Sequence, residues 1–195
     1  MQKEGYSQNQ KFFLYRLFQE AVKKRQESTV LCEIELTTRC NLSCSFCPRE
    51  ALRRPKGDMS FETAQVLAAK LRTSSAKAVL LSGFGEPSLH PQLEQIIELF
   101  AKGSTTPVGL VTNATLLDSK RAERLLDSGL GFVHVNVPSL DPQTAPRIAK
   151  GLDVETLERN LRSLVEVCSG KVPVAANVVA YKENVSEVHT LCKKL

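Results

Sequence analysis

Three of the six cysteines in the 195-residue chain lie within eight residues of one another. They are Cys40, Cys44 and Cys47, in a segment that reads CNLSCSFC. Three thiolates on a short loop can bind three irons of an iron–sulfur cubane, whereas a cluster that only transfers electrons takes a fourth ligand from the protein. No histidine lies in this loop, so the spacing predicts a cluster with one iron open to an outside ligand.

Two other interpretations of the three cysteines stay open from the residues alone. Zinc prefers four ligands, commonly as two pairs of Cys or His, and this loop supplies three thiols without a second pair. Three unrelated thiols are the other alternative, although structural cysteines are usually buried and this loop is polar. No apolar signal core follows Met1, so a disulfide framework of the secreted kind is not expected.

A second candidate site is the segment SGFGEP, residues 82–87, which follows a short apolar stretch. Glycine lets a backbone approach a ligand closely, and exposed carbonyls with the carboxylate of Glu86 would suit an ammonium group. Sites in parallel α/β folds gather at the carboxyl ends of the strands. This segment and the cysteine loop each follow a predicted strand, so we expect them to share one site.

The rest of the chain alternates between strand-like and helix-like segments. The predicted strands are residues 30–37, 77–82, 107–112, 131–137 and 171–180. The predicted helices are residues 60–73, 90–102, 118–128, 153–169 and a last helix from Asn184, with Glu187 as its capping partner. Such alternation predicts a parallel sheet with right-handed crossovers, either doubly wound or an open barrel.

The chain is interpreted as one core domain, residues 30–195, after a helical extension over residues 1–29. Within the extension, residues 11–25 place apolar side chains on one helical face: Leu14, Leu17, Phe18 and Val22. In the core, local signals mark two N-caps, a proline in a first turn and a glycine stop: Ser60, Asp153, Pro91 and Gly129.

The composition is typical of a globular protein, with 42% hydrophobic and 24% charged residues and a net charge of +5. No apolar run is long enough to cross a bilayer, which argues against a membrane protein. The basic residues are scattered apart from residues 23–25 and 53–56, which are predicted to be solvated, so nucleic-acid binding is not indicated. A cytoplasmic location is the default expectation.

Together these segments resemble the radical S-adenosylmethionine (radical SAM) superfamily. The cysteines match its CxxxCxxC motif, with the aromatic Phe46 before the last cysteine. GFGEP matches its glycine-rich motif after the second strand, with Phe84 in place of the commoner glycine. Residues 40–62, 111–117 and 134–144 resemble more narrowly the branch that includes SPASM-type maturases, although the C-terminal cluster domain of that branch is lacking.

The resemblance implies a 4Fe–4S cluster held by Cys40, Cys44 and Cys47, with SAM bound to the open iron. Reductive cleavage of SAM would then start radical chemistry on a peptide or small-molecule substrate. The resemblance also implies that contacts to SAM come from the glycine-rich motif, from the backbone near the adenine and from the loops after the third and fourth strands. The residues concerned are Gly83, Phe84, Gly85, Glu86, Pro87, Phe46, Thr112, Asn113 and Ser139.

The fold implied by the resemblance is a parallel, partial (β/α) barrel, of which five of the usual six strand–helix units are readable. The expected partners are an electron donor such as flavodoxin or ferredoxin and a chain that completes the barrel. The alternative functions are an iron–sulfur electron carrier and a catalytically incomplete accessory or binding subunit. The glycine-rich turn argues against the first, and the missing sixth unit argues for the second.

Four further polar residues also receive predictions. His90 is predicted to be a capping or surface residue, and His134 a packing residue. Asp141 is predicted to lie in a turn. Asn177 is predicted to point into the barrel, since it is a polar residue in an apolar strand.

Overall fold

A computed structural model describes residues 30–195 of the chain, so the predicted helix 11–25 and extension 1–29 lie outside the described residues. The strands are β1 (Val30–Glu35), β2 (Ser43–Cys44), β3 (Ala76–Ser82), β4 (Val108–Thr112), β5 (Leu130–Asn136), β6 (Ala149–Lys150) and β7 (Val174–Asn177). The helices are α1 (Phe61–Arg72), α2 (Leu93–Ala101), α3 (Ser119–Asp127), α4 (Ala145–Ile148), α5 (Val154–Cys168) and α6 (Val188–Lys194).

Five of the strands form one sheet in the order β1-β3-β4-β5-β7, and all neighbouring strands in it are parallel. Each strand therefore lies beside the next long strand in the sequence, which is the arrangement that the strand–helix alternation predicts. The predicted α/β class with a parallel sheet is confirmed, and an open, partial barrel is consistent with this order. No helix within residues 30–195 has the length and apolar character needed to span a bilayer.

The helices pack on one face of the sheet, and no described helix contributes to the buried cluster of the opposite face, which is here called the open face. On the covered face, alternate strand residues such as Leu81, Leu110 and Val133 join one buried cluster with the helices. Its helical members include Leu93, Ile96, Leu125, Leu157 and Leu164. Burying each such side chain contributes about 1.5–3 kcal/mol, so this face is the main source of stability. On the open face lies a smaller cluster of Ala78, Leu80 and Phe132.

The helix boundaries follow local signals where a side chain bonds its own first turn. Ser60 and Asp153 accept hydrogen bonds from the amides of Thr63 and Thr156, as predicted for N-caps. Gly129 adopts a φ of +93° after α3, which fits the predicted stop. Helix α2 begins at Leu93 rather than at residue 90, so Pro91 precedes its N-cap instead of lying in its first turn.

The predicted start of the last helix is wrong because long-range hydrogen bonds compete with capping. The last helix begins at Val188, and Asn184 is buried outside it. The Asn184 amide donates to the carbonyls of Pro138 and Val179, which ties the loop after β7 to the loop after β5. His90 is a capping residue, as one of its two predicted roles has it, and is buried rather than on the surface. Its Nδ1 accepts from the amide of Gln92, and its Nε2 donates to the Met59 carbonyl at 2.9 Å.

Candidate functional site

The cysteine loop follows β1 and is fixed by a short antiparallel pairing that the sequence analysis missed. Strand β2, which contains Cys44, pairs with β6, so that Cys44 lies opposite Ala149. Next to this pair, the Ser45 amide donates to the Ile148 carbonyl at 2.8 Å. The Cys47 amide donates to the Cys44 carbonyl at 3.1 Å, which closes a turn between the last two cysteines. The loop therefore has a defined backbone at the carboxyl end of β1.

The three thiols of this loop are partly buried and lie near enough to affect one another's ionisation. Burial raises the pKa of Cys44 to about 11, and the neighbouring Cys40 and Cys47 add to the increase. Burial also raises the pKa of Cys40, against the opposing effect of the Leu42 amide, which donates to its sulfur at 3.4 Å. Both thiols are thus protonated at neutral pH until a metal takes the proton's place.

Cysteine thiolates are the ligands that iron–sulfur clusters take from a protein, and this loop supplies three of them, so the residues present fit a cluster with one iron left to another ligand. Across residues 30–195, no three His, Cys, Asp or Glu side chains are arranged to hold a single metal ion.

The glycine-rich turn after β3 presents its amides to one side and its carbonyls to the other. The amides of Phe84 and Gly85 donate to Oε1 of Glu35 at 2.7 and 3.2 Å. In a trans peptide the carbonyl points away from its N–H, so the carbonyls of Gly83 and Phe84 point away from Glu35. Neither carbonyl accepts a hydrogen bond from any residue between 30 and 195. The turn therefore offers two free backbone acceptors, which fits the predicted contact to an ammonium group.

Both glycines of this turn are needed for close packing. Gly83 has a φ of +114°, and a Cβ there would lie 2.6 Å from Cγ of Glu35. A Cβ at Gly85 would lie 1.8 Å from the carbonyl oxygen of Thr37. The next amide, that of Glu86, donates to the Arg39 carbonyl at 2.7 Å. The turn thus packs on the backbone directly before Cys40, which brings it and the cysteine loop into one site.

The carboxylate of Glu86 is used inside the protein rather than presented to a ligand. The residue is 3% exposed and accepts four hydrogen bonds. Their donors are the Ser88 amide (3.1 Å), the Ser88 hydroxyl (2.6 Å), the Thr112 hydroxyl (2.6 Å) and the Asn113 amide (2.8 Å). Of the carbonyls and the carboxylate predicted to suit an ammonium group, the carboxylate is therefore engaged, whereas the carbonyls of Gly83 and Phe84 are left free by the described residues. Pro87 is buried and begins the 3₁₀ turn Pro87–Leu89, as expected for a residue that shapes the loop.

The side chain of Asn113 connects the loop after β4 to the cysteine loop. Its Nδ2 donates to Oδ1 of Asn41 at 2.9 Å, and Nδ2 of Asn41 donates to the Thr115 hydroxyl at 2.8 Å. The Thr115 hydroxyl and amide both donate to Oδ1 of Asn113, which closes the network. Sequence reasoning missed Asn41, although it directly follows the first motif cysteine. These bonds hold Asn113 against the cysteine loop, while the contacts to SAM expected of Thr112 and Asn113 stay predictions.

Ser139 lies in a contact between the loops after β5 and β7. It is fully buried, donates to the Glu187 carboxylate and accepts from the Asp141 amide at 3.0 Å. Asp141 accepts from the amides of Gln143 and Thr144, which confirms the predicted turn. Among the described residues, the hydroxyl of Ser139 is thus engaged in holding two loops together.

Phe46, the aromatic residue of the cysteine motif, is 44% exposed and stacks on Tyr181 with ring centroids 5.1 Å apart. Tyr181 follows β7, and burial raises the pKa of its hydroxyl, with the nearby Cys44 adding to the effect. The loop after β7 therefore reaches the cysteine loop. Sequence reasoning missed Tyr181, whose only signal is an aromatic residue beyond the last predicted strand.

The open face of the sheet carries Asn177, the polar residue predicted to point into the barrel, together with His134 and Asn136 of β5. Val133 and Val135 of β5 face the helices, so the alternate residues His134 and Asn136 lie on the open face. Asn177 pairs with Asn136 in register, and its Nδ2 donates to Oδ1 of Asn136 at 2.9 Å. His134 packs edge-on against Phe132, and burial lowers its pKa, which agrees with a packing role.

Arg54 and Glu35 form a contact that sequence reasoning also missed, since residues 53–56 were interpreted as a solvated loop. The Arg54 guanidinium makes two hydrogen bonds to the Glu35 carboxylate, one of them 2.8 Å long. The same guanidinium lies 5.6 Å from the ring centroid of Phe84. The available signal was a carboxylate at the carboxyl end of the first predicted strand.

Comparison with known protein families gives one match across most of the chain. The family model described as the Radical SAM superfamily matches residues 34–195. This range includes the cysteine loop, the glycine-rich turn and all the strands of the parallel sheet except the first residues of β1.

Curated relatives match a similar part of the chain. A probable GTP 3′,8-cyclase of Methanococcus maripaludis strain C7 is 29% identical over 167 residues, which are 83% of this chain and 54% of the relative. The tungsten-containing aldehyde ferredoxin oxidoreductase cofactor-modifying protein of Pyrococcus furiosus is 27% identical over 168 residues, 83% of this chain and 47% of that protein. The chain therefore spans about half the length of the curated relatives it matches.

Solved structures share the fold at low sequence identity. Native anSMEcpe with bound AdoMet and Cp18Cys peptide has a TM-score of 0.68 and 21% identity, over 85% of this chain and 47% of that one. BtrN in complex with AdoMet and 2-DOIA has a TM-score of 0.59 and 19% identity, over 77% of this chain and 58% of that one.

Proposed function

Since the chain belongs to the radical SAM superfamily, we propose that its core domain, residues 30–195, is that of an enzyme which cleaves SAM reductively. In this proposal Cys40, Cys44 and Cys47 hold a 4Fe–4S cluster, and SAM binds beside it. The observation that carries the proposal is the packing of the glycine-rich turn, with its two free carbonyls, on the backbone that leads into the three-thiol loop.

A bound cluster and SAM would supply one-electron cleavage of the sulfonium and hydrogen abstraction from an unactivated C–H bond. The residues of the chain bind and orient these groups. The three thiols would ligate iron as thiolates, giving up their protons. The carbonyls of Gly83 and Phe84 would accept hydrogen bonds from the ammonium of SAM, and the backbone near Phe46 would lie by the adenine.

The remaining predicted contacts act in this proposal by holding the loops in place. Thr112 and Asn113 bond the Glu86 carboxylate and thereby fix the turn against β4. Ser139 holds the loop after β5 to Glu187, in the segment that also carries Tyr181. A substrate would approach from the open face of the sheet, where the buried cluster contains strand residues but no helix residue among those described.

The proposal includes partners and a location. Enzymes of this family take electrons from a reductant, and we propose a flavodoxin or ferredoxin, in the cytoplasm. The names of the relatives support a small-molecule or peptide substrate, since they include GTP 3′,8-cyclases and a structure with bound peptide. A further strand, from a partner or a longer chain, would pair with the outer edge of β7, which has no strand beside it within residues 30–195.

The test is anaerobic reconstitution of the full chain with iron and sulfide, followed by SAM and a strong reductant. Iron content and 5′-deoxyadenosine are measured for the wild type, Cys44→Ala and the control Cys192→Ala, an exposed cysteine on α6. We expect Cys44→Ala to lose the cluster and the product, while Cys192→Ala keeps both. A full cluster and full SAM cleavage in Cys44→Ala would show that the site is assigned wrongly.

A further inference from the structure

We infer that Glu35, at the end of β1, sets the direction of the peptide groups in the glycine-rich turn and thereby makes the turn a cation-binding site. The inference rests on the proposed function, because the cation is the ammonium group of SAM. Glu35 lies in neither the cysteine motif nor the glycine-rich motif. It is a positioning residue, since it acts through the backbone of Gly83 and Phe84.

The geometry places one carboxylate oxygen on two successive amides. Oε1 of Glu35 accepts from Phe84 N and Gly85 N, at 2.7 and 3.2 Å. These two N–H groups belong to the peptide units whose carbonyls are those of Gly83 and Phe84, and both peptides are trans. With both amides directed at Glu35, both carbonyls are directed to the opposite side. The carboxylate therefore determines where the two free acceptors of the turn point.

The turn needs such a constraint because its glycines permit more than one peptide orientation. Gly83 lies at φ +114°, in a region open to glycine, and Gly85 flanks the second peptide. Rotation of either peptide unit would exchange an acceptor for a donor on the ligand side, and an N–H group repels an ammonium. Two hydrogen bonds to a charged acceptor disfavour that rotation more strongly than bonds to a neutral group would.

Arg54 keeps the carboxylate in this position. Its guanidinium bonds both oxygens of Glu35 and lies over the ring of Phe84. A carboxylate paired in this way stays an acceptor and presents no O–H to the two amides. Because Arg54 follows the cysteine loop, the contact also connects that loop to the turn.

The test measures ligand affinity of the anaerobically reconstituted full chain by equilibrium dialysis, with two probes. SAM carries the ammonium, and 5′-methylthioadenosine lacks the whole amino-acid part. For Glu35→Ala we expect SAM affinity to fall about tenfold or more, while affinity for methylthioadenosine changes less than about twofold. Glu35→Gln, which keeps an acceptor oxygen, should fall between Glu35→Ala and the wild type. The control is Glu33→Ala, a carboxylate on the same strand and face.

A second measurement does not need the cofactor. In the metal-free chain, hydrogen exchange of the Phe84 and Gly85 amides should be about tenfold faster in Glu35→Ala than in the wild type or Glu33→Ala, because their shared acceptor is gone. Unchanged SAM affinity in Glu35→Ala, or an equal loss for both probes, would overturn the inference. If wild-type protein with an intact cluster binds no SAM, the proposed function fails instead, and the exchange rates still test the role of Glu35 in orienting the turn.

Discussion

The two sides of the candidate site satisfy their polar groups in different ways. On the glycine-rich side, the carboxylates of Glu35 and Glu86 accept four hydrogen bonds each, from the turn, Arg54, Ser88, and β4 and its loop. On the cysteine side, burial raises the pKa of Cys40 and Cys44, and Phe46 is nearly half exposed.

This difference indicates that folding alone builds the glycine-rich side, whereas the cysteine side is completed by its metal. Hydrogen bonds within the protein are already made before any ligand binds. Thiols with raised pKa values are instead protonated, and they release their protons only when a metal binds. Substitutions on the first side should therefore reduce the free energy of unfolding, and substitutions on the second should mainly reduce metal binding.

The largest expected effect is that of Glu86→Ala on the metal-free chain. The substitution leaves the Thr112 hydroxyl and the Asn113 and Ser88 amides without their acceptor in a buried region, so we expect a loss of about 3–5 kcal/mol in the free energy of unfolding. Urea denaturation measures it. Glu98→Ala, which removes an exposed carboxylate from α2, should stay within about 0.5 kcal/mol of wild type. Equal free energies of unfolding for Glu86→Ala and Glu98→Ala would contradict the claim that the glycine-rich side stabilises the metal-free fold.

The second-largest loss of stability is expected for Gly85→Ala, because a Cβ there would lie 1.8 Å from the Thr37 carbonyl oxygen. Backbone atoms on both sides must move apart, so we expect a cost of about 1–3 kcal/mol and weaker iron incorporation at the adjoining loop. The matched control is Gly57→Ala, where no atom lies within 4 Å of the added Cβ. Wild-type stability in Gly85→Ala would mean that the turn and the backbone before Cys40 are not closely packed.

Cys44→Ser should change stability little and metal binding completely. The metal-free variant is expected within about 1 kcal/mol of wild type, since the residue is only partly buried, while reconstituted iron is lost. Cys168→Ser is expected to do the opposite. It places a hydroxyl in the core, at a residue that is 1% exposed, so the free energy of unfolding should fall by about 1–3 kcal/mol. Its iron content after reconstitution should be that of the wild type. If Cys44→Ser destabilised the metal-free chain as much as Cys168→Ser, the cysteine side would be formed by folding alone, like the glycine-rich side.

The smallest expected effect is a pH dependence from Glu35. Burial acts to raise the pKa of Glu35, but hydrogen bonds from Arg54 and from the Phe84 and Gly85 amides outweigh it and hold the pKa below its ordinary value of 4.5. The stability that this lowered pKa contributes is thus present above pH 4.5 and is lost as pH falls through the pKa of the folded state.

The difference in unfolding free energy between wild type and Glu35→Gln should therefore be constant near neutral pH and shrink below pH 4.5. We expect less than about 1 kcal/mol, since Arg54 is partly exposed and the ion pair is screened by solvent. Urea denaturation over a pH series measures it. A difference that grows as pH falls would have the wrong sign for a carboxylate stabilised in its charged form.

The sequence predicted those parts of the fold that depend on short-range patterns. Apolar strands of the sheet and amphipathic helices between them give periodic signals, and an N-cap such as Ser60 bonds an amide three residues away. The spacing of the cysteines is likewise a local signal. These features suffice for the order of the elements and for the position of the site at the carboxyl ends of the strands.

The missed features depend on contacts between distant segments that leave no periodic signal. Asn184 fits the pattern of a helix start, yet its amide bonds Pro138, 46 residues away. Glu35 reaches amides 49 and 50 residues away, and β2 and β6 are two residues each. Such bonds exist only once the parallel sheet has brought its loops to one edge, so the fold has to be known before they can be seen.

The most direct test of the open iron is the EPR spectrum of the reduced, reconstituted protein with and without SAM. A cluster held by Cys40, Cys44 and Cys47 alone predicts that SAM changes the signal, because SAM docks on the iron that has no protein ligand. A signal that SAM leaves unchanged, from a cubane already bound by a fourth side chain, would contradict it.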